Sequence, residues 1–151
     1  GEFDGMTLAT LENGDVWWTY TYFEDDLGSS MDQEELVKRV QGRYPPFVAE
    51  LLGSTEDRVE TIIADLPVSW KWGEGMVTLL GDSAHAQLPA LGLGCSAAFA
   101  DIEELCKQID SDGLCESALR RYERWRMPQT AVLQTASRFT FGSMRNLGSQ
   151  K

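Results

Sequence analysis

The sequence predicts an α/β or α+β fold in which part of a mixed sheet packs against helices. Three observations lead there. A run rich in β-branched and aromatic residues occupies 15–23, a wholly apolar run occupies 76–80, and helical periodicity fills most of the chain beyond it.

Residues 6–12 and 15–23 read as two strands around Asn13-Gly14, a dipeptide that favours a tight hairpin. In the second strand Trp18, Tyr20 and Tyr22 share one face, and Trp17, Thr19, Thr21 and Phe23 share the other. Both faces are bulky, so each is expected to be covered. An acidic loop with Gly and Ser follows at 24–30. Asp32 is placed to cap a helix, with Glu35 as capping-box partner and Leu36, Val37 and Val40 as the buried stripe. Gly42 ends it. Pro45-Pro46 opens a second short helix that stops at Gly53.

Residues 58–64 read as a strand, Gly73-Glu74-Gly75 as a turn, and 76–80 as a buried strand of a parallel sheet. A helix is expected over 95–109, with Ala98, Ile102, Leu105 and Ile109 on its inner face. Two further helices are expected over 116–126 and 128–141, and a disordered tail over 143–151.

Charge narrows the function classes. The net charge is −11, but residues 120–151 carry seven cations and only Glu123 as an anion. An acidic chain argues against nucleic acid, whose phosphates require a basic face. The basic end is read as an amphipathic helix, since Arg120, Arg121, Arg124 and Arg126 sit among Leu119, Tyr122 and Trp125; a polyanion contact is the alternative. Cys95, Cys106 and Cys115 are odd in number and lack CxxC spacing, and His85 is the single histidine, so no metal site is expected. A reducing compartment, cytoplasm or plastid, is the default. No apolar run is long enough to span a bilayer.

The chemistry concentrates in 79–101. A buried strand ending at Gly81-Asp82 places a carboxylate at the carboxyl edge of the sheet, where α/β proteins commonly bind ligands. A carboxylate there accepts from sugar or polyol hydroxyls and repels phosphate. The run Pro89-Ala90-Leu91-Gly92-Leu93-Gly94 then enters a helix. Glycines let the backbone approach a flat ligand, and the helix start offers free N–H groups with partial positive charge. Such a site suits a planar ring that gains negative charge. The bland alternative is a strand–loop–helix whose glycines serve packing. Asp82, Ser83 and His85 are not a hydrolase triad, because no nucleophile elbow is present.

Gly81-Asp82-Ser83-Ala84-His85, followed by Pro89, Gly92, Gly94 and Asp101, resembles the second flavin-binding motif of para-hydroxybenzoate hydroxylase-like FAD-dependent monooxygenases, the zeaxanthin epoxidases among them. The aromatic strand, the helices near 32–53, Trp70-Lys71-Trp72-Gly73 and Leu119-Arg120-Arg121-Tyr122-Glu123 follow the family order. The resemblance implies that the chain is a C-terminal portion of such an enzyme, with FAD as cofactor, NAD(P)H as electron donor and a hydrophobic or aromatic substrate. It implies that 4–75 is part of the substrate-binding domain and 76–142 the C-terminal part of the FAD-binding domain. It implies cofactor contacts from Gly81, Asp82, Pro89, Gly92, Leu93, Gly94, Cys95 and Ser96. Asp82 would take the ribityl chain, Pro89 would lie beside the ring, and N–H groups of the loop would meet the pyrimidine edge.

His85 would brace the loop. Trp18, Tyr20 and Tyr22 are candidates for a substrate-facing wall, with core packing as the other reading. No side chain stands out as the catalytic acid or base.

Leu93 and Ser96 depart from the family's polar residue and Asn. Moreover, no Gly-x-Gly-x-x-Gly unit for the FAD adenine and pyrophosphate occurs in the sequence. The expectation is therefore that this chain alone does not retain FAD. A missing N-terminal half, or self-association, would cover a face left apolar. Two other readings stay open: a non-catalytic interaction module and a flavin-dependent reductase.

Overall fold

The computed structural model describes residues 4–22 and 30–148. Phe23 and most of the acidic loop at 24–30 lie outside the described residues. Within them the chain forms two compact units, one of residues 4–22 and 63–148, the other of residues 30–62.

The hairpin pairs β1 (Asp4–Thr10) with β2 (Val16–Tyr22) antiparallel, Leu8 opposite Trp18 and Met6 opposite Tyr20. Its turn is longer than Asn13-Gly14 alone. Leu11 N–H donates to Asp15 O at 2.8 Å, and the Asn13 amide bonds the Asp15 carboxylate at 2.6 Å. That local side-chain bonding draws 11–15 out of the ladder. Trp18, Tyr20 and Tyr22 are half-buried, whereas Trp17 on the opposite face is 51% exposed. The expectation that both faces are covered therefore fails among the described residues.

The unit of residues 30–62 is a helical hairpin. Asp32 caps α1 (Gln33–Val40) by accepting from Glu35 N–H at 2.8 Å, as the sequence predicts. Leu36 and Val40 bury with Val48 and Leu52 of α2 (Pro46–Gly53). The Gln33 amide closes the far end of α2, donating to Leu52 O at 2.7 Å and Thr55 O at 2.9 Å.

The larger unit holds α3 (Asp82–His85), a one-turn 3-10 helix Pro89–Leu91, α4 (Gly94–Asp112) and α5 (Glu116–Gly148). Its core is Trp72, Ala84, Tyr122 and Met127, with Leu105 packed against it.

Several expectations are corrected. Residues 58–64 and 76–80 form no strand; Glu74 and Val77 share a single antiparallel bridge. Both segments have strand-like sequences, but a strand needs a neighbour for its backbone groups. Val59 is 92% exposed and Val77 67%. In α4 the buried residues are Ala97, Asp101 and Glu104, with Leu105 packed against the core, while Phe99 is 71% exposed and Ile102 is exposed.

The last two expected helices are one. α5 passes through Pro128, and the Gln129 amide donates to Trp125 O while the Thr130 hydroxyl donates to Arg126 O. Side chains thus bond carbonyls around the proline, where the missing N–H disturbs the ladder. The helix also continues beyond Gly142, where the sequence suggested disorder, to Gly148; residues 149–151 lie outside the described residues.

Candidate flavin-ring half-site

Leu80, Gly81 and α3 make a sharp turn. Gly81 has φ +61 and ψ −140, a conformation costly for any residue with a Cβ. Its carbonyl accepts from Ala84 N–H at 2.9 Å and His85 N–H at 3.0 Å, closing the turn. Asp82 is the first residue of α3 and its side chain is exposed. Ser83 turns away, its hydroxyl donating to Leu80 O at 2.7 Å. His85 is buried and directed at Asp101, so Asp82, Ser83 and His85 form no relay, as the sequence predicts.

Asp101 organises this corner. Its Oδ2 lies 2.6 Å from His85 Nε2 and accepts from Gly81 N–H at 2.9 Å. Its Oδ1 accepts from Arg126 Nε at 2.7 Å, and Arg126 also donates to Ala97 O at 3.2 Å. Burial alone would raise the Asp101 carboxyl, but the bonds from His85, Arg126 and Gly81 outweigh it and hold it below the usual carboxylate range. The His85 ring lies 5.4 Å from Trp72, which in turn lies 5.9 Å from Tyr122. Burial, with the negative charge of Asp101, pushes the Tyr122 phenol well above its ordinary value, so it serves as a neutral donor to Leu79 O at 3.2 Å. Arg126 therefore belongs to a buried ion pair, not to the charged outer face that the sequence suggested.

The loop beyond α3 is held at both ends. Ala86 O accepts from Leu66 N–H at 3.1 Å and from the Gln134 amide at 3.2 Å, and Ser137 donates to Leu88 O. Pro89 starts the 3-10 turn, exposed, and Gly92 ends it in the left-handed region at φ +63. A Cβ at Gly92 would meet nothing within 4 Å, and one at Gly94 only the Gln87 amide at 3.9 Å. Open space therefore lies over Gly92, and only a side-chain amide in ordinary contact distance lies near Gly94. Leu93 precedes α4 without a side-chain cap, and Leu93, Cys95 and Ser96 are exposed. This leaves the start of a 19-residue helix facing outward with its first N–H groups uncapped.

The structure thus brings Gly81, Asp82, Pro89, Gly92, Leu93, Gly94, Cys95 and Ser96 onto one run of turn, loop and helix start. Trp18, Tyr20 and Tyr22 lie elsewhere, on one face of β2. There the Tyr20 and Tyr22 rings stack at 5.8 Å, and the Tyr20 hydroxyl donates to Asp4. The residues fit a planar ring bearing a polyol: an exposed carboxylate for hydroxyls, glycines without steric cover, and an uncapped helix start for a developing anion. Sequence reasoning missed Arg126, Gln134 and Ser137 as braces. All three sit on α5, far along the chain, and only their helical spacing relative to buried Tyr122 and Thr130 hinted at an inward direction. Among the described residues no cluster of His, Cys, Asp or Glu could hold a metal ion, and the cysteines are free thiols.

Comparison with known proteins gives this arrangement a context. No family model matches the chain. Zeaxanthin epoxidase of Nicotiana plumbaginifolia is 31% identical over 146 residues, covering 86% of this chain and 22% of that protein. Phenazine 1,6-dicarboxylic acid hydroxylase of Lysobacter antibioticus is 34% identical over 91 residues, covering 60% of this chain and 22% of that protein. The fold matches Klebsiella pneumoniae HpxO complexed with FAD and uric acid at a TM-score of 0.75 and 24% identity, over 96% of this chain and 38% of HpxO. The chain thus spans about a fifth of the length of the curated relatives it matches. It is similar to FAD-dependent monooxygenases over most of its own length.

Proposed function

We propose, from this similarity to the FAD-dependent monooxygenases, that residues 76–142 form the ring-facing half of an FAD site and residues 4–75 part of the substrate side. The observation that carries the reading is the uncapped start of α4, flanked by uncovered Gly92 and Gly94, on the same run as exposed Asp82. Asp82 would accept from the ribityl hydroxyls. Pro89 would bound the ring face, and Gly92, Leu93, Gly94, Cys95 and Ser96 would present backbone N–H groups to its pyrimidine edge. Bound FAD would supply the redox and oxygen chemistry of hydroxylation or epoxidation, with NAD(P)H as the electron source.

The chain's own task is to bind, orient and shield. Trp18, Tyr20 and Tyr22 offer an aromatic wall for a hydrophobic substrate. A conjugated or ring substrate is in keeping with the zeaxanthin, phenazine and uric acid in the relatives' and neighbour's names. The adenine and pyrophosphate would need a nucleotide-binding unit from another part of the intact protein. Met76, Val77, Phe99 and Ile102 are exposed apolar side chains that such a unit, or a second copy, would cover.

A second reading is favoured by Leu93, Ser96 and those exposed side chains: a non-catalytic relative that persists as an interaction module. Weak binding of added flavin separates the two. Purified chain is expected to emerge from gel filtration colourless yet to quench added FMN fluorescence weakly and saturably. No quenching at any concentration favours the interaction module, and a stoichiometric yellow chromophore refutes the half-site.

A further inference from the structure

The turn that carries Asp82 is tied at both ends to one carboxylate oxygen. Gly81 N–H, just before α3, and the His85 ring, at its last residue, both meet Asp101 Oδ2, at 2.9 and 2.6 Å. Asp82, between them, points outward and is exposed. Asp101 itself is wholly buried, so it touches no ligand. Its other oxygen is fixed by Arg126 at 2.7 Å, and Arg126 is fixed by Gln129 at 2.5 Å and Ala97 O at 3.2 Å. The fit between turn and helix is close. A Cβ at Gly81 would lie 3.3 Å from Ala98 Cβ on α4, on top of the strain of its φ of +61. The path from α5 through Arg126 and Asp101 to the 81–85 turn is therefore continuous and buried.

We propose that Asp101 is a positioning residue: through Gly81 and His85 it sets the turn that presents Asp82 to the hydroxyls of a ribityl chain, and Arg126 sets Asp101. This rests on the flavin reading for the ligand, but its structural half stands without it. Buried hydrogen bonds to a charge are the stronger kind, so a carboxylate that accepts three of them can hold a turn a neutral amide cannot.

Amide exchange measured by NMR on the full chain tests the assignment. The variants are Asp101→Asn and the double variant D101N/R126M, which leaves no buried charge unpaired. The Gly81, Ala84 and His85 amides should accelerate about tenfold more, or beyond, than those of Thr130 and Gln134 in α5, whose exchange reports the global loss of stability. Unchanged exchange at Gly81 and His85, uniform acceleration along the chain, or unfolding of both variants overturns it, because Asp101 would then act on nothing in particular or on everything.

Added FMN reads the ligand half. In the unsubstituted chain it should shift the amides of Asp82, Cys95 and Ser96; in Asp101→Asn the Asp82 shift should shrink while the other two persist. Equal loss at all three overturns the positioning role. No shifts in the unsubstituted chain refute the flavin reading, with the exchange result still deciding the turn.

Discussion

The buried Asp101–Arg126 pair is a residue-scale device with two measurable consequences. Removing the charge by Asp101→Asn leaves the Arg126 guanidinium buried without its counter-charge, a change that costs about 3–5 kcal/mol in comparable pairs. Urea unfolding should read that loss at neutral pH. The same pair sets a pH dependence. Because the folded Asp101 carboxyl is held below its ordinary range, its stabilisation is fully present above the unfolded value of roughly 4 and fades as pH falls through the folded value. Unfolding midpoints should therefore drop more steeply below pH ~4 in the unsubstituted chain than in Asp101→Asn.

Gly94 separates stability from binding. Its site is open and at the first turn of α4, so Gly94→Ala should keep or raise thermal stability, by up to about 1 kcal/mol, while the methyl weakens FMN quenching. A variant that binds FMN as before would remove Gly94 from the half-site. At this scale the sequence was legible where backbone chemistry is local: Gly81, Asp82, Gly92 and Gly94 mark their own turns. It was not legible for Arg126. An arginine in an amphipathic pattern reads as solvent-facing, and only the tertiary approach of Asp101, 25 residues earlier, turns it inward.

At the scale of elements, helices were read more faithfully than strands. Asp32, Pro46 and Gly53 punctuate their helices locally, and the structure keeps those bounds. The 58–64 and 76–80 segments have strand chemistry but no strand, since pairing depends on a neighbour that the local sequence does not specify. Pro128 misled in the opposite direction. Proline ordinarily ends a helix, yet α5 is anchored on both sides of it, by Arg126 to Asp101 and by Gln134 to Leu66 O at 2.9 Å. Pro128→Ala should restore the missing backbone bond and stabilise the chain by about 1–3 kcal/mol, seen as a higher melting temperature. A lower melting temperature would mean that the proline shapes a bend the packing needs.

For the whole molecule, the distribution of apolar surface is the informative feature. α4 turns Asp101 and Glu104 inward beside Ala97 and Leu105, and leaves Phe99 and Ile102 exposed. Met76 and Val77 add further exposed apolar surface to the same unit. Sedimentation should accordingly show concentration-dependent association, and Phe99→Ser should reduce it; a clean monomer at high concentration contradicts that view. FAD is expected to bind weakly here, because the sequence carries no Gly-x-Gly-x-x-Gly unit for its adenine and pyrophosphate.

Mapping backbone amide shifts as FMN is added to the chain shows whether the run from Gly81 to Ser96 meets a flavin ring and its ribityl chain. Saturable shifts concentrated at Gly81, Asp82 and Gly92 to Ser96 are expected. Shifts confined to the β1–β2 hairpin, or none at all, would contradict that contact.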